Sequence, residues 1–458
     1  MNSPAIINFN KNVISSDRLF YNLNYIIIVF IIMMLWHIPQ GGVFEIIPFI
    51  SVIGIQRFSI IITLFTCFHF IIKKKVNVTS FDESSYFYLF CIGILISFLL
   101  ASNENTISLQ LELNSQNNSL QIYSILKGFF LFLSIIVFFR DINLFQKFLK
   151  IFLNTAAFFC LLVLFGYADL FLELFGGTAS SDVFESFKGI VVTRFTFPTL
   201  DNNTNGGILS GILILSIFYG VINKKKTYYI IFPLLFTMMV ISGLGRANSL
   251  KLLISLLIFF GIYYRFYARK FGLILIIMIL GFIILSYTNT GYILFERWQE
   301  IANNFIPILK GESRLYVMDN FTWRILAALS GLPITVVGWI FGNGGIQTGY
   351  VYDINSASHI EFSNWISQYG LLTFVPLAIF LIKNISYFLK IKIKDISKSG
   401  EVNNKLLLYQ ATGIAICFGL IIEALNSPLF IGLWFWLGII SILVLHSKHI
   451  VNSNLGTD

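Results

Sequence analysis

Charged residues are scarce in this sequence. Only 12% of the 458 residues are charged and 57% are hydrophobic, and the mean hydropathy is +0.81. A soluble domain carries about 25% charged residues, so this composition excludes an ordinary soluble protein. The apolar runs are continuous, whereas an outer-membrane barrel shows alternating segments of about ten residues. The composition therefore predicts a membrane protein built from helices.

The sequence is also poor in groups that bind metals or nucleotides. Its four cysteines, Cys67, Cys91, Cys160 and Cys417, all stand in apolar runs, which argues against disulfides and against a cysteine metal site. It has no clustered His/Cys set, no Asp-x-Asp pair and no Walker-type or dinucleotide glycine loop. We expect no metal ion, no cofactor and no nucleic-acid partner.

Basic residues divide the chain into segments. Most of the 31 Lys and Arg residues form short clusters between apolar runs, and such clusters mark cytoplasmic loops. If each run crosses the membrane once, about twelve membrane segments result. Both termini then lie in the cytoplasm, and no cleavable signal peptide is expected. The predicted segments are roughly 20–38, 55–72, 86–102, 119–139, 148–166, 204–222, 227–243, 248–264, 271–288, 364–383, 406–423 and 428–446.

The expected fold is therefore all-α, a single integral membrane domain over residues 1–458 with long loops on the outer face. Residues 167–203 form one such loop, and residues 289–363 form the largest. The largest loop has helical periodicity with polar and apolar faces in 294–309 and 314–331, which predicts amphipathic helices lying over the membrane surface. Long loops of this kind in compact proteins are usually functional.

Ten basic residues are not explained by this topology. They fall within predicted membrane segments or on the outer side, where the positive-inside rule does not call for them. A cation inside a membrane is costly unless it is paired or solvated, so these residues are functional candidates. They are Arg57, Lys127, Lys188, Arg194, Arg246, Lys251, Arg297, Lys310, Arg314 and Arg324.

Two of these arginines stand close to the start of a predicted helix. Arg194 precedes Pro198 and the run that includes Asn202, which resembles a turn capping the next helix. A helix N-terminus beside an arginine favours anion binding. Alternatively, Arg194 pairs with Asp182 or Asp201 and only orders the loop. Arg246 follows Gly243 and Gly245, and its alternative role is that of an arginine snorkelling to the membrane interface.

The largest loop holds the other candidates. Arg314 and Arg324 flank an aromatic stretch, and a guanidinium offers bidentate contacts to phosphate oxygens. Pairing with Glu312 or Asp319 within a helix is the alternative, and it suits Arg314 better. His359 titrates near neutral pH and can act as a general base on a hydroxyl, with Glu361 as an accessory group, although a lone histidine is more often an ordinary hydrogen-bonding residue.

Taken in order, these segments resemble the O-antigen polymerase and ligase family of bacterial polysaccharide assembly. The resemblance covers about residues 190–385. Its motifs are RFTFPTLDNNTNGG from Arg194, GLGRANSLKLLISLLIFF from Gly243, FTWRILAAL around Arg324, WIFGNGG from Trp339, and SASHIEFSNWISQYG around His359. Two positions depart from the family pattern. Ile360 stands where the family often has Asn, and Gly245 stands where it has Ser before the arginine.

The resemblance implies a GT-C-like integral membrane glycosyltransferase in the bacterial inner membrane, with its active site on the periplasmic face. Its substrate would be a glycan on undecaprenyl diphosphate, the diphosphate would be the leaving group, and the transfer would be metal-independent. A chain-length regulator and a flippase would be partners. In this reading His359 and Arg324 are catalytic, Arg194, Arg246, Arg314 and Arg324 bind the diphosphate, and Glu361, Tyr350 and Asn202 are accessory.

Other functions fit part of the pattern. A ligase of the same family would transfer finished glycan to lipid A–core, but the aromatic-rich loop and Ile360 favour a polymerase. A glycan flippase or secondary transporter would carry charges along a central membrane cavity and have helices broken near the midplane. A non-catalytic membrane scaffold would not need several arginines and a histidine in its outer loops.

Overall fold

The computed structural model describes the main helical part of the chain. It covers residues 84–100, 127–168, 181–185, 191–195, 202–243, 246–265, 268–309, 335–342, 361–391, 400–424 and 430–455, with shorter pieces at 170, 332–333, 350–351 and 354–355 and single positions between 25 and 64.

Helices dominate the architecture, as the hydropathy predicts. From residue 84 onward, each predicted membrane segment overlaps an observed helix, and a π-helical turn at Thr227–Ile231 precedes α5. The predicted segments 20–38 and 55–72 lie almost entirely outside the described residues. The helices are α1 Ser84–Leu100, α2 Lys127–Phe138, α3 Ile142–Leu164, α4 Asn202–Ile222, α5 Phe232–Ser242, α6 Arg246–Tyr263, α7 Ala268–Ser286, α8 Asn289–Leu309, α9 Val336–Phe341, α10 Glu361–Lys390, α11 Gly400–Ala424 and α12 Phe430–Leu455.

The expected number of about twelve membrane-spanning helices is not confirmed. Within the described ranges, four helices are long and apolar enough to cross a membrane, or five if a bent pair counts as one span. Several other apolar helices have only 10–17 residues, which is short for a bilayer core of about 30 Å. The apolar helices nevertheless indicate a membrane-spanning protein.

Parts of the two predicted outer loops form β-hairpins. Residues 167–203 contain the antiparallel hairpin β1 Ser181–Glu185 and β2 Val191–Phe195, and residues 289–363 contain the short hairpin β3 Tyr350–Val351 and β4 Ile354–Asn355. The strand β2, VVTRF, is rich in β-branched residues, which favour strands. The all-α expectation therefore holds for the bundle and not for these hairpins.

The predicted amphipathic helix at 294–309 is confirmed as part of α8. This helix meets the end of α7 at 98°, measured between Ile279–Ser286 and Asn289–Gln299. Gly291 lies against the backbone of Leu285 at this elbow, where a larger side chain would collide. The companion helix predicted at 314–331 lies outside the described residues.

Helix α11 is central to the bundle. In its most apolar stretch 83% of the residues are buried, against 33% in that of α10. It packs on α4, α6, α10 and α12. A neighbouring aromatic cluster joins α1, α2, α10 and α12, and within it Phe87 stacks on Phe132 with ring centroids 3.6 Å apart and meets Trp434 edge-on at 5.8 Å.

The contacts of α11 fix the direction of its neighbours. Gly207, near the start of α4, lies beside Glu423 at the end of α11, whereas Phe218 near the other end of α4 lies 4.9 Å from Tyr409. Helices α4 and α11 are therefore antiparallel. Helix α6 is also antiparallel to α11. Lys251, near the start of α6, contacts Glu423, near the end of α11, whereas Ser255, later in α6, contacts Ala415, earlier in α11.

Helix α10 is also antiparallel to α11. The Gln410 side chain donates a hydrogen bond to the Phe388 carbonyl at 2.6 Å, so the end of α10 meets the start of α11. At the opposite end, Trp365 and Ala424 line one small apolar pocket together with Leu433 of α12. The starts of α4, α6, α10 and α12 and the end of α11 thus lie at one end of the bundle, called the far end below.

The other end, called the basic end below, carries most of the cations of the described ranges. There the His446 ring lies 3.2 Å from the Arg140 carbonyl, which joins the late part of α12 to the start of α3. The basic residues lie near the helix ends that reach this end of the bundle. The basic end includes Arg140, Lys147, Lys224, Lys225, Lys226, Arg265, Lys390, Lys405 and Lys448.

Helix α10 is broken at Gly370. This residue has φ +72°, and Gly342, just after α9, has φ +75°. Each glycine lies against the backbone of the other segment, so that a Cβ on Gly370 would collide with the Ile340 carbonyl and one on Gly342 with residue Gln368. Both positions require glycine for the conformation and for the close approach. The turn FGNGG thus begins packed against the break in α10.

Candidate functional site

Three predicted site residues begin helices at the far end. Asn202 is the first residue of α4, Arg246 of α6 and Glu361 of α10. The first backbone N–H groups of a helix lack partners within it and create a positive partial charge there. These three backbone positions are far apart in sequence and lie at one end of the bundle, where the helix starts favour negative charge.

The hairpin β1–β2 presents Arg194 at a defined register. Arg194 lies opposite Asp182 across the two strands. This register is the one required by the alternative interpretation, in which Arg194 pairs with Asp182 and orders the loop. Strand β2 also contacts α5, whose last residue, Ser242, lies shortly before Arg246 in the sequence.

The other predicted site residues belong to the largest predicted loop. Tyr350 lies in β3, paired with Asn355 of β4. The candidates Arg314, Arg324 and His359 lie outside the described residues, so their roles stay predictions.

The best-defined polar group at the far end is a buried ion pair between α6 and α11. The Lys251 ammonium contacts the Glu423 carboxylate, and the two side chains are only 4% and 2% exposed. The same ammonium donates a hydrogen bond to the Gly207 carbonyl of α4 at 2.6 Å. One cation therefore joins three helices. We call Lys251, Glu423 and the Gly207 carbonyl the ionic junction.

Small residues make room for the ionic junction. A Cβ on Gly207 would collide with the Glu423 carboxylate, and one on Gly211 with the Trp436 ring. These two glycines stand four residues apart on one face of α4, so α4 can approach α11 and α12 closely. Small residues at helix contacts commonly allow such close packing in membrane proteins.

An aromatic ring and a hydroxyl complete the surroundings. The Lys251 nitrogen lies 5.9 Å from the centroid of the Trp436 ring, within cation–π range. The Ser255 hydroxyl, one helical turn further along α6, donates to the Ala415 carbonyl at 3.4 Å. The charge of Lys251 is thus compensated inside the bundle.

Lys251 was one of the ten cations that the predicted topology does not explain. The structure pairs it with Glu423, and such pairing lowers the cost of a cation inside a membrane. Glu423 was not among the predicted residues, although its position carried a signal. A carboxylate inside the apolar run of residues 406–424 is as costly without a partner as a buried cation.

Metal ligands do not gather in the described part of the chain. There, no group of three His, Cys, Asp or Glu side chains lies close enough to hold a metal ion.

The chain matches no protein-family model, and a search of curated proteins finds no match either. The resemblance to the polymerase and ligase family rests on the sequence motifs.

Proposed function

We propose that this protein is a membrane glycosyltransferase that polymerises glycan repeat units carried on undecaprenyl diphosphate. The lipid diphosphate leaves as the glycosidic bond forms, and the attacking sugar hydroxyl loses its proton to a base, for which His359 is the candidate. The proposed setting is the periplasmic face of a bacterial inner membrane, with a flippase that supplies the substrate and a chain-length regulator as a partner.

One observation carries the proposal. Asn202, Arg246 and Glu361, which belong to three separate motifs of the family resemblance, begin three helices at the same end of the bundle. That end is opposite the basic end, which the positive-inside rule assigns to the cytoplasm.

The arrangement suits a diphosphate leaving group. The starts of α4 and α6 lie at the same end of the bundle and are joined there by Lys251, and helix N-termini favour a bound anion. An arginine in the first turn adds a full charge with a bidentate donor geometry. Donors fixed in place before the reaction stabilise the negative charge that grows on the departing diphosphate. Arg246 is the candidate for this role among the described helices.

A second candidate function, a glycan flippase or secondary transporter, is favoured by two observations. The Lys251–Glu423 pair is a buried charge inside the helix bundle, and α10 is broken at Gly370. Buried ionisable groups and discontinuous helices are features of transporters. The transporter interpretation is weakened by the contacts of Lys251, because its ammonium already binds the Glu423 carboxylate and the Gly207 carbonyl.

The deciding experiment is a transfer assay with the purified protein in detergent. The substrate is a synthetic undecaprenyl-diphosphate-linked repeat unit, without nucleotide and in the presence of EDTA. We expect a ladder of lengthening lipid-linked glycans. Transfer to added lipid A–core without a ladder would identify a ligase. The absence of both products with a cognate repeat unit, together with movement of that lipid across proteoliposome membranes, would identify a transporter.

Replacement of Arg246 tests the diphosphate role. We expect Arg246→Ala to lower kcat/KM by about 100-fold or more, the usual effect of removing one donor to a developing anion, and Arg246→Lys to recover only part of it because lysine lacks the fork geometry. Arg269, exposed at the start of α7 near the basic end, is the matched control, and Arg269→Ala should leave kcat/KM unchanged. Equal losses in both alanine variants would contradict this role.

A further inference from the structure

We propose that the ionic junction is a positioning device that holds the starts of α4 and α6 at a fixed separation. Within the proposed function, on which this part of the inference rests, it keeps Asn202 and Arg246 in register around one diphosphate. Lys251 and Glu423 would be positioning residues that do not touch the substrate.

The geometry places the ionic junction directly behind the two helix starts. Gly207 lies five residues after Asn202, and Lys251 lies five residues after Arg246. Five residues correspond to about 7.5 Å along a helix. Because Lys251 donates to the Gly207 carbonyl, the two helices are tied at equal distances from their first residues.

The third partner fixes the pair to the centre of the molecule. Glu423 is the penultimate residue of α11, the helix on which α4 and α6 both pack. A sliding movement or rotation of α6 would therefore separate Lys251 from both oxygen partners at once. Apolar contacts along the same helices do not impose a comparable register, because the hydrophobic effect is non-directional.

Stability alone does not account for a charge pair here. A buried ion pair can often be replaced by apolar residues of similar volume without loss of stability. Its specific property is a defined geometry, since an ammonium and a carboxylate must meet at hydrogen-bond distance.

Direct binding of the substrate anion by Lys251 fits less well. The ammonium already contacts a carboxylate and a carbonyl oxygen, and the side chain is buried. A bound diphosphate would have to displace the Glu423 carboxylate and bring a second negative charge close to it. The structure therefore favours an indirect role.

The first test measures the separation of the helix starts and does not depend on activity. Spin labels are attached at Asn203→Cys and Ala247→Cys in a full-length chain whose native cysteines are replaced, which leaves Asn202 and Arg246 intact. We expect one narrow distance distribution in this background. In the charge swap Lys251→Glu/Glu423→Lys we expect a broader or shifted one, because a carboxylate at position 251 cannot donate to the Gly207 carbonyl. In Lys251→Met/Glu423→Leu, which removes both charges, we expect the distribution to broaden or shift. An unchanged distribution in that variant would overturn the proposal.

A matched pair of glycine variants covers the case in which the double replacement does not fold. Gly207→Ala in α4 crowds the Glu423 carboxylate, and Gly413→Ala in the middle of α11 crowds the Phe388 ring of α10. We expect Gly207→Ala, and not Gly413→Ala, to broaden the distance distribution. Equal broadening would show a general packing effect and would also overturn the proposal.

The second test separates positioning from structure through kinetics. In the transfer assay, Lys251→Met/Glu423→Leu should lower kcat/KM by about 100-fold, as expected for misplaced reacting groups, while its thermal midpoint stays close to that of the wild type. The charge swap, which lacks the donor to the Gly207 carbonyl, should lose activity by a similar factor. If the wild type forms no polymer, the proposed function fails, whereas the distance measurements still decide whether the ionic junction positions α4 and α6.

Discussion

Lys251 carries its charge in the interior of a helix bundle, where an unpaired ammonium would be costly. Its contacts with Glu423 and with the Gly207 carbonyl remove that cost only while both partners are present. The effect of a substitution on the free energy of unfolding therefore depends on whether it leaves a buried charge without a partner.

Single substitutions should destabilise the protein more than the double one. We expect Lys251→Met or Glu423→Leu alone to lower the free energy of unfolding by about 3–5 kcal/mol, because each leaves a buried charge without its partner. Lys251→Met/Glu423→Leu should lose much less. The midpoint of thermal unfolding in detergent gives the comparison. Additive losses in the double variant would show that the two charges do not interact.

At this scale, the sequence predicted one half of the ionic junction. Lys251 was recognised as a cation that topology does not explain, but its partner stands 172 residues away. No local pattern relates two residues at that separation, since their meeting depends on how the helices pack. Arg314, Arg324 and His359 were selected on chemical type and resemblance, and their roles await the transfer assay.

Among the structural elements, the break in α10 is the least expected from sequence. Pro376 stands inside this helix, yet the non-helical residue is Gly370. A proline within a helix is the usual sequence signal for a kink. The break at Gly370 depends instead on the approach of Gly342 and Ile340, which hydropathy cannot reveal. The positions of the helices were predictable because an apolar run of suitable length is a local property.

Replacement of Gly370 should be far more damaging than replacement of another glycine with positive φ. Gly370→Ala adds a backbone collision to the cost of a left-handed conformation, whereas Gly166→Ala at φ +73° has no atom within 4 Å of the new Cβ. The conformational cost alone is about 1–2 kcal/mol. We expect Gly166→Ala to lose about this much and Gly370→Ala clearly more, as measured by thermal unfolding. Similar losses would mean that the approach to Ile340 is not tight in solution.

The whole molecule has two chemically different ends. In the described ranges, the clusters of Lys and Arg gather at the basic end, while the starts of α4, α6 and α10 lie at the far end. The positive-inside rule predicts that the basic end faces the cytoplasm. Hydropathy predicted the apolar helices, but the expected number of spans is not confirmed. Within the described ranges, four helices, or five if a bent pair counts as one span, are long and apolar enough to cross a membrane.

Cysteine labelling in intact cells tests this orientation. In a background without native cysteines, Tyr167→Cys and Asn203→Cys stand at the far end, and Lys225→Cys and His449→Cys at the basic end. Tyr167 is 58% exposed, and Lys225 and His449 are exposed as well. A membrane-impermeant maleimide should label only the first two from outside, and the last two after permeabilisation. Labelling of both sets from outside would refute the assignment.

The sequence separation of Lys251 and Glu423 also sets an order of events during synthesis. The ribosome completes α6 long before α11, since 172 residues separate the two charges. At typical elongation rates this interval is on the order of ten seconds. During this time the nascent chain holds a cation in the membrane with no carboxylate to neutralise it. Helix α6 therefore lacks its stabilising partner until α11 is synthesised. Chains terminated before residue 423 should be preferred substrates of membrane proteases.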